Sequence, residues 1–160
     1  MTKRLLITTL LSLVLKTQGQ NNYKSFSDTL FSIGDKIITP KIYFDVGTGW
    51  TIVSECRDSV ALIADFLKRH PKFQVEIGVF ADNQGNKPGN QKITEHRAAR
   101  TKDYLITEFK IDSTRIKSVG YGSSFFIIPE IKIKTSKTET ERNLLHAINR
   151  RTEVKILSTN

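Results

Sequence analysis

The sequence predicts an α+β domain of order βαβαβ(α)β, with a mixed sheet and helices packed on one face of it. Three observations carry this expectation. Short runs alternate β-branched with other residues, most clearly "QVEIGVF" with Val75, Ile77 and Val79 on one side. Two longer stretches repeat apolar residues at helical spacing. Strand-like and helix-like segments then take turns along the chain, which stacks helices on a sheet and makes any parallel crossover right-handed.

Taken in order, residues 1–20 read as a secretory signal peptide: Lys3 and Arg4, an apolar run from Leu5 to Leu15, then Thr17-Gln18-Gly19. The run is shorter than the roughly 20 apolar residues that a membrane-spanning helix needs. Residues 21–40 form a polar lead-in, and 41–160 the main domain. Within "KIITPKIYF" a strand is expected, interrupted at Pro40. From Ser54 to His70 the stripe Cys56, Val60, Ile63, Ala64 and Leu67 predicts a helix, with Ser54 as N-cap, Pro71 beyond the end and His70 as a cation beside the negative end of the dipole. "QVEIGVF" is expected to be a half-buried strand ending at Asp82.

A second helix is expected from an N-cap at Asn90 to about Phe109. At about 100° per residue, Ala98, Thr101, Tyr104, Leu105 and Phe109 fall within an arc of about 160° from Ile93, and Arg97 lies inside that arc. "RIKSVGYG" reads as a third strand, "SKTETERNLLHAIN" contains a short helix, and "RRTEVKIL" closes the sheet with Val154 and Ile156 facing inward.

At 160 residues, with 38% hydrophobic and 26% charged residues, the chain has the composition of one ordinary globular domain. Its formal charge is +9; removal of residues 1–20 leaves 22 basic and 16 acidic residues, or +6. The single cysteine, Cys56, excludes an internal disulfide and is expected to be a small buried apolar residue. No cysteine follows the apolar run, so no lipid anchor is expected.

The chemistry concentrates in "FADNQGNKPGNQKITEHRAAR". Asp45 and Asp82 follow predicted strands, at the carboxyl edge where ligands of such sheets gather. Arg97 within an apolar arc must find an acceptor or reach water. Helical side chains lean toward the N-terminus, which aims it at the Asp82 loop. Either the two charges pair and pin the loop, or they stand apart and hold a zwitterion, Asp82 taking an ammonium and Arg97 a carboxylate.

These residues carry a resemblance. In order along the chain, Asp82, Gly85, Asn90, Ile93, Thr94, Arg97 and Ala98, preceded by "YFD" and followed by "GYG" and "NRRTEVKI", match the pattern of the OmpA-like peptidoglycan-binding domain. The stretch from Ile42 to about Leu157 resembles this wall-anchoring module, also found in peptidoglycan-associated lipoproteins and flagellar stator proteins. The resemblance implies that Asp82 and Arg97 hold the diaminopimelate of the peptidoglycan stem peptide. Asn90 would then hold the loop or donate to the ligand, Ile93 form an apolar wall, and Asp45 add a contact. Each of these three also has a structural alternative: helix cap, core residue and turn former. Phe80-Ala81 replaces a polar pair usual in the family, and "GYGS" replaces Gly-Tyr-Gly-Glu.

An enzyme is not expected, since no metal-ligand spacing, nucleophile motif or phosphate-binding loop is present, and no cofactor or metal is implied. The basic charge is dispersed and matches no nucleic-acid reader. The expected partner is peptidoglycan, in the periplasm or in peripheral association with the outer membrane, with other envelope proteins as further partners. The competing function is an envelope protein–protein interaction module whose peptidoglycan pocket is weakened or vestigial.

Overall fold

The computed structural model describes residues 22–45 and 51–160. The expected signal peptide lies outside the described residues.

Five strands form one sheet: β1 (Tyr23–Lys24), β2 (Lys36–Ile38), β3 (Gln74–Phe80), β4 (Ile116–Gly120) and β5 (Arg151–Ser158), in the spatial order β1-β2-β5-β3-β4. β3 and β4 are parallel, whereas β5 runs antiparallel to both β2 and β3. β2 and β3 therefore point the same way with β5 between them. Their carboxyl ends meet the start of β5, Ile38 opposite Glu153 and Phe80 opposite Arg151. The lead-in thus supplies the two strands at one edge; β2 ends at Ile38, before Pro40, and the expected continuation through "KIYF" is only the isolated Phe44–Ile52 bridge, so Asp45 does not end a strand of the sheet.

Helix α1 (Arg57–Arg69) follows a 3₁₀ turn at Ser54–Cys56. Ser54 opens that turn and is not the helix cap; Cys56 takes the cap position without a side-chain bond. The predicted stripe is buried throughout, joined by Phe66. Cys56 is buried as expected, its Sγ accepting the Tyr43 N–H at 3.1 Å. His70 departs from expectation. It stacks on Phe73 at 4.5 Å and packs against Phe66 and Phe31, and burial together with Arg69 pushes its pKa down. The carboxyl end of α1 is instead capped by Arg115, whose guanidinium donates to the carbonyls of Leu67 (2.8 Å), His70 (2.7 Å) and Phe73 (3.0 Å).

Strand β3 is buried on both faces, Val75, Ile77 and Val79 on one and Glu76, Gly78 and Phe80 on the other, so it is central and not half-buried. The first face meets α1 and helix α2 (Lys87–Thr107) in the main core, which also takes in Ile37, Val154 and Ile156. A second, smaller cluster gathers Ile127 and Ile128 with helices α3 (Glu130–Lys134) and α4 (Glu139–Asn149), and packs with Tyr23 and Ile38. Thr138 caps α4 by accepting the Glu141 N–H at 3.1 Å.

Helix α2 starts four residues earlier than the sequence suggests. Its N-cap is Asn86, whose Oδ1 accepts the Gly89 N–H at 2.7 Å, with Pro88 in the first turn. The helix lies close against β4. A Cβ on Gly120 would stand 2.1 Å from the Glu95 backbone nitrogen, so only glycine permits this approach. Two residues on, Gly122 turns at φ +52° and gives its N–H to Thr94 Oγ1 at 2.9 Å.

Candidate functional site

Asp82 follows the carboxyl end of β3 by two residues, and its side chain is almost wholly buried. Its Oδ1 accepts the Gln84 N–H at 3.0 Å, an Asx turn that starts the loop to α2. Asn90, now in the first turn of α2 and not its cap, closes that loop. Its Nδ2 donates to the carbonyls of Asp82 (3.2 Å) and Gln84 (2.9 Å). Of the two roles open to Asn90, the loop-holding one is present in the fold.

Arg97 lies two turns further along α2, half-buried, its guanidinium 5.3 Å from the centre of the Phe44 ring. Its Nε is buried with no hydrogen-bond partner among the described residues. Burial, and then the charge of Arg150, lower its pKa. Asp82 and Arg97 make no ion pair with each other, so the loop is not pinned by that contact.

Asp82 meets two residues that the sequence did not single out for this site. The Arg150 guanidinium binds its Oδ2, and His146 Nδ1 stands 3.6 Å from the same oxygen, too far for a hydrogen bond. His146 sits in the last turn of α4, and Arg150 is the residue that ends that helix. Their spacing of four, on one side of a helix leading into the last strand, was the available signal. Arg150 also depresses the pKa of Lys41, second to burial, which places Lys41 in the same electrostatic neighbourhood. Arg150 thus contacts the buried acid, and its charge is felt at both Lys41 and Arg97.

The remaining expected residues divide. Asp45 lies beside Phe44, in a short antiparallel pairing in which its N–H donates to Thr51 O at 2.9 Å and Phe44 faces Ile52. Ile93 is 37% exposed and therefore not a core residue; the buried stripe of α2 is Thr94, Ala98, Thr101 and Leu105. The apolar-wall alternative for Ile93 remains. Phe80 faces the opposite side of the sheet, stacked on Tyr121 at 4.6 Å and beneath the Arg151 guanidinium at 3.9 Å. Ala81 ties β3 to the "GYG" turn through its N–H, which donates to Gly122 O at 2.7 Å.

A buried carboxylate held by Arg150 thus lies two residues past the end of β3, and the charge of the same Arg150 is felt at a half-buried guanidinium on α2. Among known families, the model described as OmpA family matches residues 31–143. The chain belongs to the OmpA family. Outer membrane porin F of Pseudomonas fluorescens is 29% identical over 129 residues, 81% of this chain and 32% of the porin. The peptidoglycan-associated lipoprotein of Brucella melitensis is 26% identical over 99 residues, 62% of this chain and 55% of the lipoprotein. This OmpA-family chain therefore aligns with about a third of the porin and about half of the lipoprotein. Its fold matches the periplasmic domain of Helicobacter pylori MotB with a TM-score of 0.60 at 17% identity, covering 82% of this chain and 88% of that one. Among the described residues of this OmpA-family domain, no helix is long and apolar enough to cross a membrane.

Proposed function

We propose that this domain binds peptidoglycan without catalysis, through the diaminopimelate of the stem peptide, and so anchors or docks its protein at the cell wall in the periplasm or at the outer membrane. The observation that carries this reading is that Asp82 and Arg97 do not pair with each other: the Arg97 Nε has no hydrogen-bond partner among the described residues, and Asp82 is held by the half-exposed Arg150. Asp82 takes the ligand's ammonium, and Arg97 makes a two-pronged bond to its carboxylate. Ile93 lines the approach, Asn90 holds the loop, and Asp45 adds a contact from the neighbouring segment. Membership of a family whose relatives include a peptidoglycan-associated lipoprotein supports the same reading.

The test is co-sedimentation of the full chain with purified diaminopimelate-type sacculi. The parent protein pellets, and Asp82→Ala and Arg97→Ala stay in the supernatant with unchanged far-UV spectra. Because the clasp is partly desolvated, binding persists at about 0.15 M salt. Undiminished pelleting of both variants removes the pocket from the account. One observation favours the protein-interaction alternative, namely that Asp82 already holds an internal cation in Arg150. Failure of the parent to pellet would select it.

A further inference from the structure

We propose that Arg150 sets the specificity of this site: it holds Asp82 against a bare ammonium and moves to the ligand's carboxylate when a zwitterionic group enters. This rests on the function proposed above.

The argument begins with the number of places at Asp82. Oδ1 is taken by the Gln84 N–H, Oδ2 by Arg150, and the side chain is 5% exposed, so there is little room for a further cation. An incoming ammonium must displace the guanidinium or share its oxygen. Arg150 is built to be displaced. Its backbone is fixed, the N–H donating to His146 O at 3.1 Å, while its side chain is 43% exposed. Its neighbour Arg151 shows the contrast: 6% exposed, it is bound to Glu153 Oε1 (2.6 Å), Phe125 O (3.2 Å) and Asn149 O (3.1 Å).

Where Arg150 goes is decided by charge. It already stands on Asp82, and its charge lowers the pKa of both Arg97 and Lys41, second in each case to burial. A ligand that brings only an ammonium displaces Arg150 with water as its sole new acceptor, and adds a cation where like charges already oppose one another. A ligand that brings a carboxylate as well gives Arg150 and Arg97 a shared acceptor, and every charge is then paired. The exchange conserves net charge. It discriminates a diaminopimelate side chain from a lysine side chain, which carries the ammonium alone.

The experiment is calorimetric titration of the full chain with two soluble muropeptides, one ending in meso-diaminopimelate and one with lysine in its place. The parent favours the diaminopimelate peptide by roughly tenfold or more. In Arg150→Ala the diaminopimelate peptide binds roughly fivefold weaker and the lysine peptide about threefold tighter, closing the gap from both sides. A parent that binds neither peptide defeats the proposed function and this inference with it. A parent that binds normally, with Arg150→Ala weakening both peptides equally or neither, overturns the inference alone. A second measurement does not depend on the variant's folding. Amidation of the diaminopimelate carboxylate makes the parent treat that peptide as it treats the lysine form, and equal affinity for amidated and free peptides overturns the exchange.

Discussion

The two helices that flank β3 are built on opposite principles. Helix α1 buries Val60, Ile63, Ala64, Phe66 and Leu67 completely, an apolar stripe that closes the core. Helix α2 is eight residues longer, yet its buried residues are Thr94, Ala98, Thr101 and Leu105, three of them small and half of them hydroxylic. Those hydroxyls are satisfied within the helix, Thr94 on Asn90 O and Gln91 O and Thr101 on Arg97 O. A stripe of this kind adds little apolar burial, but it lets the helix touch β4 at Gly120. The difference separates two tasks: α1 supplies stability, and α2 fixes the position of Asn90 and Arg97 relative to Asp82.

Substitutions can break that division of labour. Phe66→Ala should have the largest effect on stability, about 4 kcal/mol, because the ring is wholly buried against Phe26, Phe31, Phe73 and His70. Chemical denaturation should show it, while the remaining folded protein still pellets with sacculi. Gly120→Ala comes next, about 3 kcal/mol, since its methyl group meets backbone at 2.1 Å and α2 must shift. Here binding should fall even in the folded fraction. Thr94→Val removes the acceptor of the buried Gly122 N–H and should cost about 2 kcal/mol. If it costs nothing, the turn has found another acceptor and the polar stripe is not what holds α2 in place.

Arg97→Met sharpens the comparison from the other side. The folded state disfavours the charge at this position, so its removal should leave the melting temperature within about 2 °C of the parent or above it, while sacculus binding is lost. A large drop in melting temperature would make Arg97 a structural residue. The smallest effect belongs to His70 at the end of α1. Its folded pKa lies below the ordinary value of 6.5, so the unfolded chain takes up the proton first as the pH falls. The corresponding stability is present in full above about pH 6.5 and is lost below it, by roughly a few tenths of a kcal/mol. Melting curves of the parent and His70→Gln at pH 7.5 and 5.0 should diverge in that sense.

Much of this was legible in the sequence because it is local. The stripe of α1, the alternation in β3 and β5, and the register of Asp82 with Arg97 each lie within one segment. The start of α2 was misplaced because two asparagines flank "KPG"; Pro88, tolerated only in the first turn, favours Asn86 over Asn90. β1, at two residues, and α3, at five, are too short to show a period. The Arg150–Asp82 contact spans 68 residues of sequence and depends on β5 entering between β2 and β3, which no local pattern states.

That placement of β5 bears on how the molecule comes into being. The last of the described strands along the chain is the middle of the sheet, with β1 and β2 on one side and β3 and β4 on the other. Until the segment up to Ser158 has emerged, the two halves have no common partner, and Asp82 has neither Arg150 nor His146 beside it. A chain whose β5 segment has not yet emerged therefore lacks both the Arg150 and the His146 neighbours of Asp82, and these arrive in one step with the closing of the sheet.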